Sequence, residues 1–522
     1  MDLTSDLVDR FRRWTALCAA FAVAFSFCLL ILGYQGNLLT GVARVAAAIC
    51  FTTAVISPRV MLYGLVVMAT CLDTVKRLLG VFGSFSENDL AIVLTIAPLT
   101  LGGVFVGLIS HRIFRHGKIL AGREWFLFLC ALGTMSGSFS KAFVASRSVL
   151  RAGQSVTDGT AYLLVPLVIV GLLHDARAAT RFLRFISWAF LPVALYGVVQ
   201  FFFGFQGFEL DYMGSGLSAG ILQFDDVRIR IFSTLNSGHA FGVVMAMLLV
   251  LVVAQAVIHW RNRASLRVND ILLIASYASG LALCFGRTSW VQGFLGLVGI
   301  FFFVSARRTK FFYGTSLAVL ATVVFNSEYI LGNLEELESK LPTESALQQQ
   351  AFRLGTYSDR LVGLMNVAND TSYWTPFGVD AYVPGEVQHG DRYFAHDAFT
   401  DALLRYGYVG VLFLAGICIY FLVQIHRGLL SVKDRDLRTL GAALTSACFS
   451  IFFSGFLSGA SLHVYPVNLL FWSFVGCILV ISSSATQESA AGDRETPVRA
   501  VVPGRRDRSA RIPIARPRRV HF

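Results

Sequence analysis

Phe241-Gly242-Val243-Val244-Met245-Ala246-Met247-Leu248-Leu249-Val250-Leu251-Val252-Val253-Ala254-Gln255-Ala256-Val257-Ile258 contains a single polar side chain, Gln255. A helix needs about 20 predominantly apolar residues to cross the hydrocarbon core of a bilayer, and this run approaches that length. Similar runs recur at Leu38–Ile56, Leu90–Ile109, Phe185–Phe203, Val411–Ile425 and Leu469–Ser482. Of the 522 residues, 55% are hydrophobic and 15% charged, with a mean hydropathy of +0.64. A soluble domain cannot hide that much apolar surface. The expected fold is all-α: a polytopic transmembrane helix bundle of about fourteen spans, or roughly twelve on a stricter count, with one large external loop containing short helices. The pair around Val60–Leu79 and Phe126–Gly137 makes the difference, because Asp73, Lys76, Arg77 and Lys141 interrupt it.

The formal charge of +12 has a topological explanation. Short Arg- and Lys-rich loops mark the cytoplasmic side of membrane proteins. Here they are Arg10–Arg13, Arg112–Arg123, Arg177–Arg184, Arg261–Arg267, Arg307–Lys310 and Arg427–Arg438. That assignment leaves both termini cytoplasmic and makes nucleic acid an unneeded partner. No cleavable signal peptide is evident; Arg10, Arg12 and Arg13 precede a first span that starts the bundle. The nine cysteines all fall in apolar runs, which suits small buried hydrophobes rather than disulfides.

Four regions follow from this pattern: a bundle over 1–325 with an external loop near 206–236, a large external loop over 326–401, further membrane helices over 402–484, and a basic tail over 485–522. The tail carries nine Arg against four acids and is rich in Pro, Ser and Ala. It reads as a disordered extension beside anionic membrane lipids. The large loop carries twelve acids against four bases, Lys340, Arg353, Arg360 and Arg392. Leu334–Lys340 and Ser345–Leu354 have helical patterns within it.

A chain this apolar keeps its chemistry in its few polar segments. Arg228-Ile229-Arg230 and Asn236 lead into the Phe241 span from the external side, against the positive-inside trend. Arg offers a planar fork of donors that matches phosphate oxygens, although headgroup snorkelling accounts for Arg here as well. Gly286-Arg287-Thr288-Ser289 forms a short turn between two apolar runs, where Arg287 is either functional or an interfacial anchor. Arg360 follows Asp359, with which it can simply pair. His396-Asp397 ends the large loop and runs into an apolar span. His is the usual proton-transfer side chain near neutral pH, or here an interfacial hydrogen-bonding group. Asp397 can cap the coming helix. Gly407 and Gly410, three residues apart, permit close approach of a neighbouring helix. The set His389, Asp391, His396 and Asp397 matches no standard metal site, so no metal is expected.

These residues resemble the O-antigen ligase and O-antigen polymerase (Wzy-type) superfamily of bacterial envelope glycosyltransferases. The family's pattern of His followed by Asn, Ser or Gln, nine residues, then Gly-x-x-Gly is similar to His396-Asp397, nine residues, Gly407-Tyr408-Val409-Gly410. Asp397 departs from it. Arg230–Asn236 resembles the family's Arg-x-x-Gly-Thr-Phe-x-x-Asn-type segment, with Ser233 where Gly is common. Arg287-Thr288-Ser289 resembles its Ser-Arg-rich turn, and Arg360 and Gly378 its loop Arg and later glycine segment. The resemblance covers roughly 195–480. It implies a periplasmic active site in the inner membrane, a donor glycan carried on undecaprenyl diphosphate, an acceptor glycan, and no cofactor or required metal. His396 would serve as general base or acceptor orienter, Arg230 and Arg360 as diphosphate clamps, and Arg287, Arg228, Asn236 and Asp397 as binding residues. A chain-length regulator and a flippase would be further partners. Polymerase, exopolysaccharide polymerase and ligase share these residues. A transporter or flippase of lipid-linked saccharides is the rival class; it predicts ionisable residues deep in several spans.

Overall fold

The computed structural model describes residues 38–82, 87–116, 122–147, 149–215, 223–224, 228–263, 265–305, 307–311, 314–315, 374, 376, 398–457, 462 and 464–494. The helices in chain order are α1 (Leu38–Ile56), α2 (Pro58–Phe82), α3 (Glu87–His116), α4 (Gly122–Ser146), α5 (Val149–Asp158), α6 (Val165–Leu172), α7 (Ala176–Ala189), α8 (Leu191–Phe203), α9 (Gly207–Gly214), α10 (Gly238–Arg263), α11 (Val268–Leu283), α12 (Arg287–Phe303), α13 (Ala398–Gly428), α14 (Arg435–Leu457) and α15 (Val467–Arg494). Among the described residues the only strand pairing is an antiparallel ladder of Gln223–Phe224 with Arg228–Ile229. The expected helical fold is therefore present.

Local chemistry sets many boundaries. Pro58 opens α2, and prolines occupy the first turns of α6 and α8, where a missing N–H costs nothing. Asp175 caps α7 by accepting from the Ala178 N–H. α10, apolar on every face, lies in the interior and packs on α11, α12 and α14. α12 and α14 approach closely through small residues. Ser446 Oγ donates to the Gly296 carbonyl at 2.6 Å, Gly299 lies directly against Ser446, and Gln292 Nε2 donates to Ser454 Oγ at 2.7 Å. Small residues at such seams are the usual route to tight packing in lipid, where helices gain little from apolar burial.

Among the described residues, five helices are long and apolar enough to cross a membrane: Ile92–Ile113, Glu124–Val144, Ala176–Phe203, Gly238–Arg263 and Arg435–Gly455. Shorter apolar helices cover Gly41–Ile56, Thr160–Leu172, Val268–Leu283, Tyr406–Phe421 and Val467–Ser483. Several described runs are shorter than the full-length spans expected of them. The 16-residue α11, for example, reaches only about 24 Å, because its run breaks at Cys284–Gly286. α2 is long but carries Arg59, Asp73, Lys76 and Arg77. α15 runs on to Arg494, ten residues past the expected start of the tail, through a stretch rich in the good helix formers Ala, Gln and Glu. Residues 1–37, nearly all of the large loop and 495–522 lie outside the described residues.

Helix ends sort into two groups. At one, Arg112 pairs with Glu124, His259 with Asp270 and Arg261 with Asp436. This basic end holds most of the Arg-rich connections. α10 leads from it to the opposite end, where Gly238 starts the helix.

A leucine at Gly299 would have to displace Ser446. Gly299→Leu is expected to destabilise the fold by about 1–3 kcal/mol as overpacking, read as a lower thermal midpoint in detergent. An unchanged midpoint would contradict the close α12–α14 seam.

Candidate functional site

The end of the bundle at Gly238 contains a buried ionic knot. The C-terminal turns of α2 present Asp73, Lys76 and Arg77, all buried. Arg77 is 1% exposed and Glu209, on the short helix α9, is 0%. The Arg77 guanidinium donates from Nη1 to the Ser233 carbonyl at 2.8 Å and from Nη2 to the Leu235 carbonyl. It lies 3.8 Å from Glu209 Oε1 and stacks over Phe232 with its carbon 4.1 Å from the ring centre. Lys76 Nζ is 3.4 Å from Asp73 Oδ1 and donates to Asn236 Oδ1 at 3.3 Å. An ion taken into an apolar interior persists only when such partners replace its water.

Glu209 and the loop are held from a second side by α8. Gln200 Nε2 donates to Glu209 Oε1 at 2.7 Å and Tyr196 OH donates to the same oxygen at 3.1 Å. Gln200 Oε1 accepts the Ser233 N–H at 2.6 Å, and Ser233 Oγ donates to the Val193 carbonyl at 2.6 Å. Ser233 has φ +54°, in the left-handed region that glycine occupies without strain. The hydroxyl bond to Val193 helps a non-glycine residue hold it.

The loop from Arg230 to Asn236 is thus fixed between α2 and α8, and it delivers Arg230 to the start of α10. Arg230 is partly buried, with its Cβ packed against Gly238. Gly242, one turn on, lies against Cys284 Sγ and Ser289. Burial pushes the Cys284 thiol up to about 11, and the nearby Arg230 guanidinium works against that rise. Arg287 opens α12 three residues later, after a turn in which Phe285 has φ +48°. Arg230, Arg287 and the N-termini of α10 and α12 therefore gather at one place. Helix N-termini carry a partial positive charge, so the whole assembly favours an anion.

Among the buried polar atoms at this end that have no hydrogen-bond partner among the described residues are Asp73 Oδ2, Thr234 Oγ1 and Tyr465 OH. Thr74 Oγ1 donates to the Thr234 carbonyl, and Tyr465 lies close enough to Asp73 to sense its charge. Burial pushes the Tyr465 phenol well above its ordinary value, so it stays protonated. A carboxylate oxygen and two hydroxyls left over in one region call for water or a hydroxylated ligand.

Of the residues expected at the site, the structure brings together Arg230, Asn236 and Arg287. Arg228 lies in the small ladder, paired with Phe224. Gly410 faces Gly137 of α4, in keeping with a packing role. Gly407 has a different one: with φ +63° and ψ 177° it breaks α13 into two helices. The Val409 N–H, freed by the break, donates to the carbonyl of Pro376 from the large loop at 3.3 Å. α13 opens at Ala398, immediately after Asp397. His396, Asp397 and Arg360 lie outside the described residues. Asp73, Lys76, Arg77, Gln200 and Glu209 were not expected. Their signal was present, since ionisable residues inside an apolar helix mark a functional or buried polar site.

No protein-family model matches the chain, and a search of curated proteins finds no match either. The fold is helical, with described helices long and apolar enough to be compatible with a multi-pass membrane protein.

Removing Arg77 leaves two loop carbonyls without their donor and the buried Glu209 without its counter-charge. Arg77→Ala is expected to cost about 3–5 kcal/mol. Arg77→Lys should recover only a minor part, because an ammonium cannot span both carbonyls. Thermal unfolding in detergent checks this, and a loss below about 1 kcal/mol would place the pair among weak surface ion pairs.

Proposed function

We propose that the protein is an inner-membrane polysaccharide polymerase, acting on O-antigen or exopolysaccharide repeat units, with both termini cytoplasmic and its site on the periplasmic face. The donor is a glycan on undecaprenyl diphosphate and the acceptor is a sugar hydroxyl. The observation that carries this reading is the convergence of Arg230, Arg287 and two helix N-termini at the end of α10.

In the reaction the acceptor oxygen attacks the anomeric carbon of the donor. The bond from that carbon to the diphosphate oxygen breaks, and its electron pair leaves with the diphosphate. Charge builds on the phosphate oxygens as the bond lengthens. Fixed guanidinium donors in a site that excludes water stabilise that charge without reorganising. Arg230 and Arg287 supply them here, joined by Arg360 from the large loop. The acceptor hydroxyl must lose its proton, and His396 is the base, an assistance generally about 10²–10⁴-fold. Asp73 Oδ2 and the Tyr465 hydroxyl, which lack partners among the described residues, suit sugar hydroxyls nearby. A ligase attaching finished polymer to lipid A-core would use the same residues.

The transporter reading gains one observation: Asp73, Lys76 and Arg77 are ionisable and buried in a helix. They lie in its last turns and bind the loop beside it, so they serve the loop rather than a path through mid-membrane.

Purified protein reconstituted with lipid-linked repeat units is expected to lengthen glycan chains. Arg230→Ala and His396→Ala should each lower the rate by 10²-fold or more, while His389→Ala keeps it. Lipid scrambling without chain growth would replace this reading with the transporter. Unchanged growth in His396→Ala would remove the base assignment alone.

A further inference from the structure

The basic end of the bundle holds a second cationic arrangement that glycan transfer does not use. A cavity of about 440 Å³ opens between α7, α10 and α14. Its polar wall includes Arg184, Arg263, Arg267 and His259, with Asp436 the one acid, and Leu440 belongs to its apolar part. The acids near it are already committed. Asp436 accepts from Arg261 Nη2 and from Asn262 Nδ2. Asp270 is 2.9 Å from His259 Nδ1 and also accepts the Arg267 N–H at 3.3 Å. Three arginines therefore line the cavity with a surplus of positive charge. One of them has unused capacity in the interior: Arg267 Nε is buried with no hydrogen-bond partner among the described residues.

Snorkelling explains single arginines that reach outward into a headgroup layer. It does not explain three converging on a concavity with a buried donor unfilled. We propose that this cavity binds a phosphate group, carried either by an anionic lipid headgroup or by a free phosphate compound. Guanidinium forks match phosphate oxygens, and the volume falls within the range of ordinary ligand pockets, about 300–1,000 Å³. Basic pockets between membrane helices are known to hold anionic headgroups, which the partly apolar lining of this one also suits. The bound anion ties α7 to α10 and α14 at the end of α10 remote from Arg230.

The test uses the full-length protein purified in detergent. Two probes are offered separately: inorganic pyrophosphate, and phosphatidylcholine vesicles containing phosphatidylglycerol. Binding is followed by native mass spectrometry and by the rise in thermal midpoint. The triple variant Arg184→Gln, Arg263→Gln, Arg267→Gln should weaken binding roughly fivefold per arginine, on the order of 10² in all. A control removing equal charge from residues that do not line the cavity, Arg59→Gln, Arg177→Gln, Arg181→Gln, should change it little. Thr180→Trp, which fills the cavity without altering charge, should also abolish binding, and it carries the test should the triple variant not fold. Binding of the vesicle lipid alone identifies a headgroup; binding of pyrophosphate alone identifies a soluble anion; both outcomes support the site. Equal weakening in the two triple variants would reduce it to general surface charge. Binding retained in Thr180→Trp, or absent from the wild type with both probes, would overturn it.

Discussion

The Arg77 guanidinium, buried and shared between two loop carbonyls, Glu209 and the face of Phe232, is the interaction on which the rest of the site depends. A permanently charged group in an apolar bundle is tolerable only if every direction around it is occupied. That demand makes the Ser233–Leu235 backbone a structural ligand of α2. The loop cannot drift without stranding a charge. Arg230, two residues before Phe232, inherits the rigidity and is held against the first turn of α10. A flexible loop would lose most of the benefit of Arg at a charge-developing centre, because fixed donors stabilise charge without reorganising.

The bundle around this knot has a division of labour. α10 is apolar throughout and fills the interior, so its ends, rather than its middle, carry polar chemistry. At one end it meets Arg230 and the Cys284–Arg287 turn; at the other it contributes His259, Asn262 and Arg263 to the arginine-lined cavity. The kink at Gly407 gives α13 a similar double character. Its outer part follows directly on the large loop, and the break exposes an N–H that Pro376 of that same loop takes up.

Much of the fold was legible in the sequence because apolar length is a direct physical requirement of a membrane. α1 ends where its expected run ends, at Ile56. The breaks that shorten helices were less visible. Nothing in the apolar pattern announces that Gly407 takes φ +63° rather than a helical conformation, or that Cys284–Gly286 turns the chain. At the site, Arg230, Asn236 and Arg287 could be singled out because each is polar at the edge of an apolar run. In the sequence Asp73, Lys76 and Arg77 look only like an interruption of a span, since hydropathy counts charges as costs and does not see the partners that offset them. Those partners, Ser233, Leu235 and Asn236, lie about 160 residues away in the chain, at separations of 156 to 160.

The claim that Arg77 fixes the Arg230 loop can be read at the loop itself. Hydrogen exchange followed by mass spectrometry, on peptides covering 230–237, compares the wild type with Arg77→Ala under conditions where both remain folded. The account predicts slow exchange at the amides of Ser233 and Leu235 in the wild type and fast exchange in the variant, with α10 protected in both. Equal protection of the loop in the two proteins would contradict it.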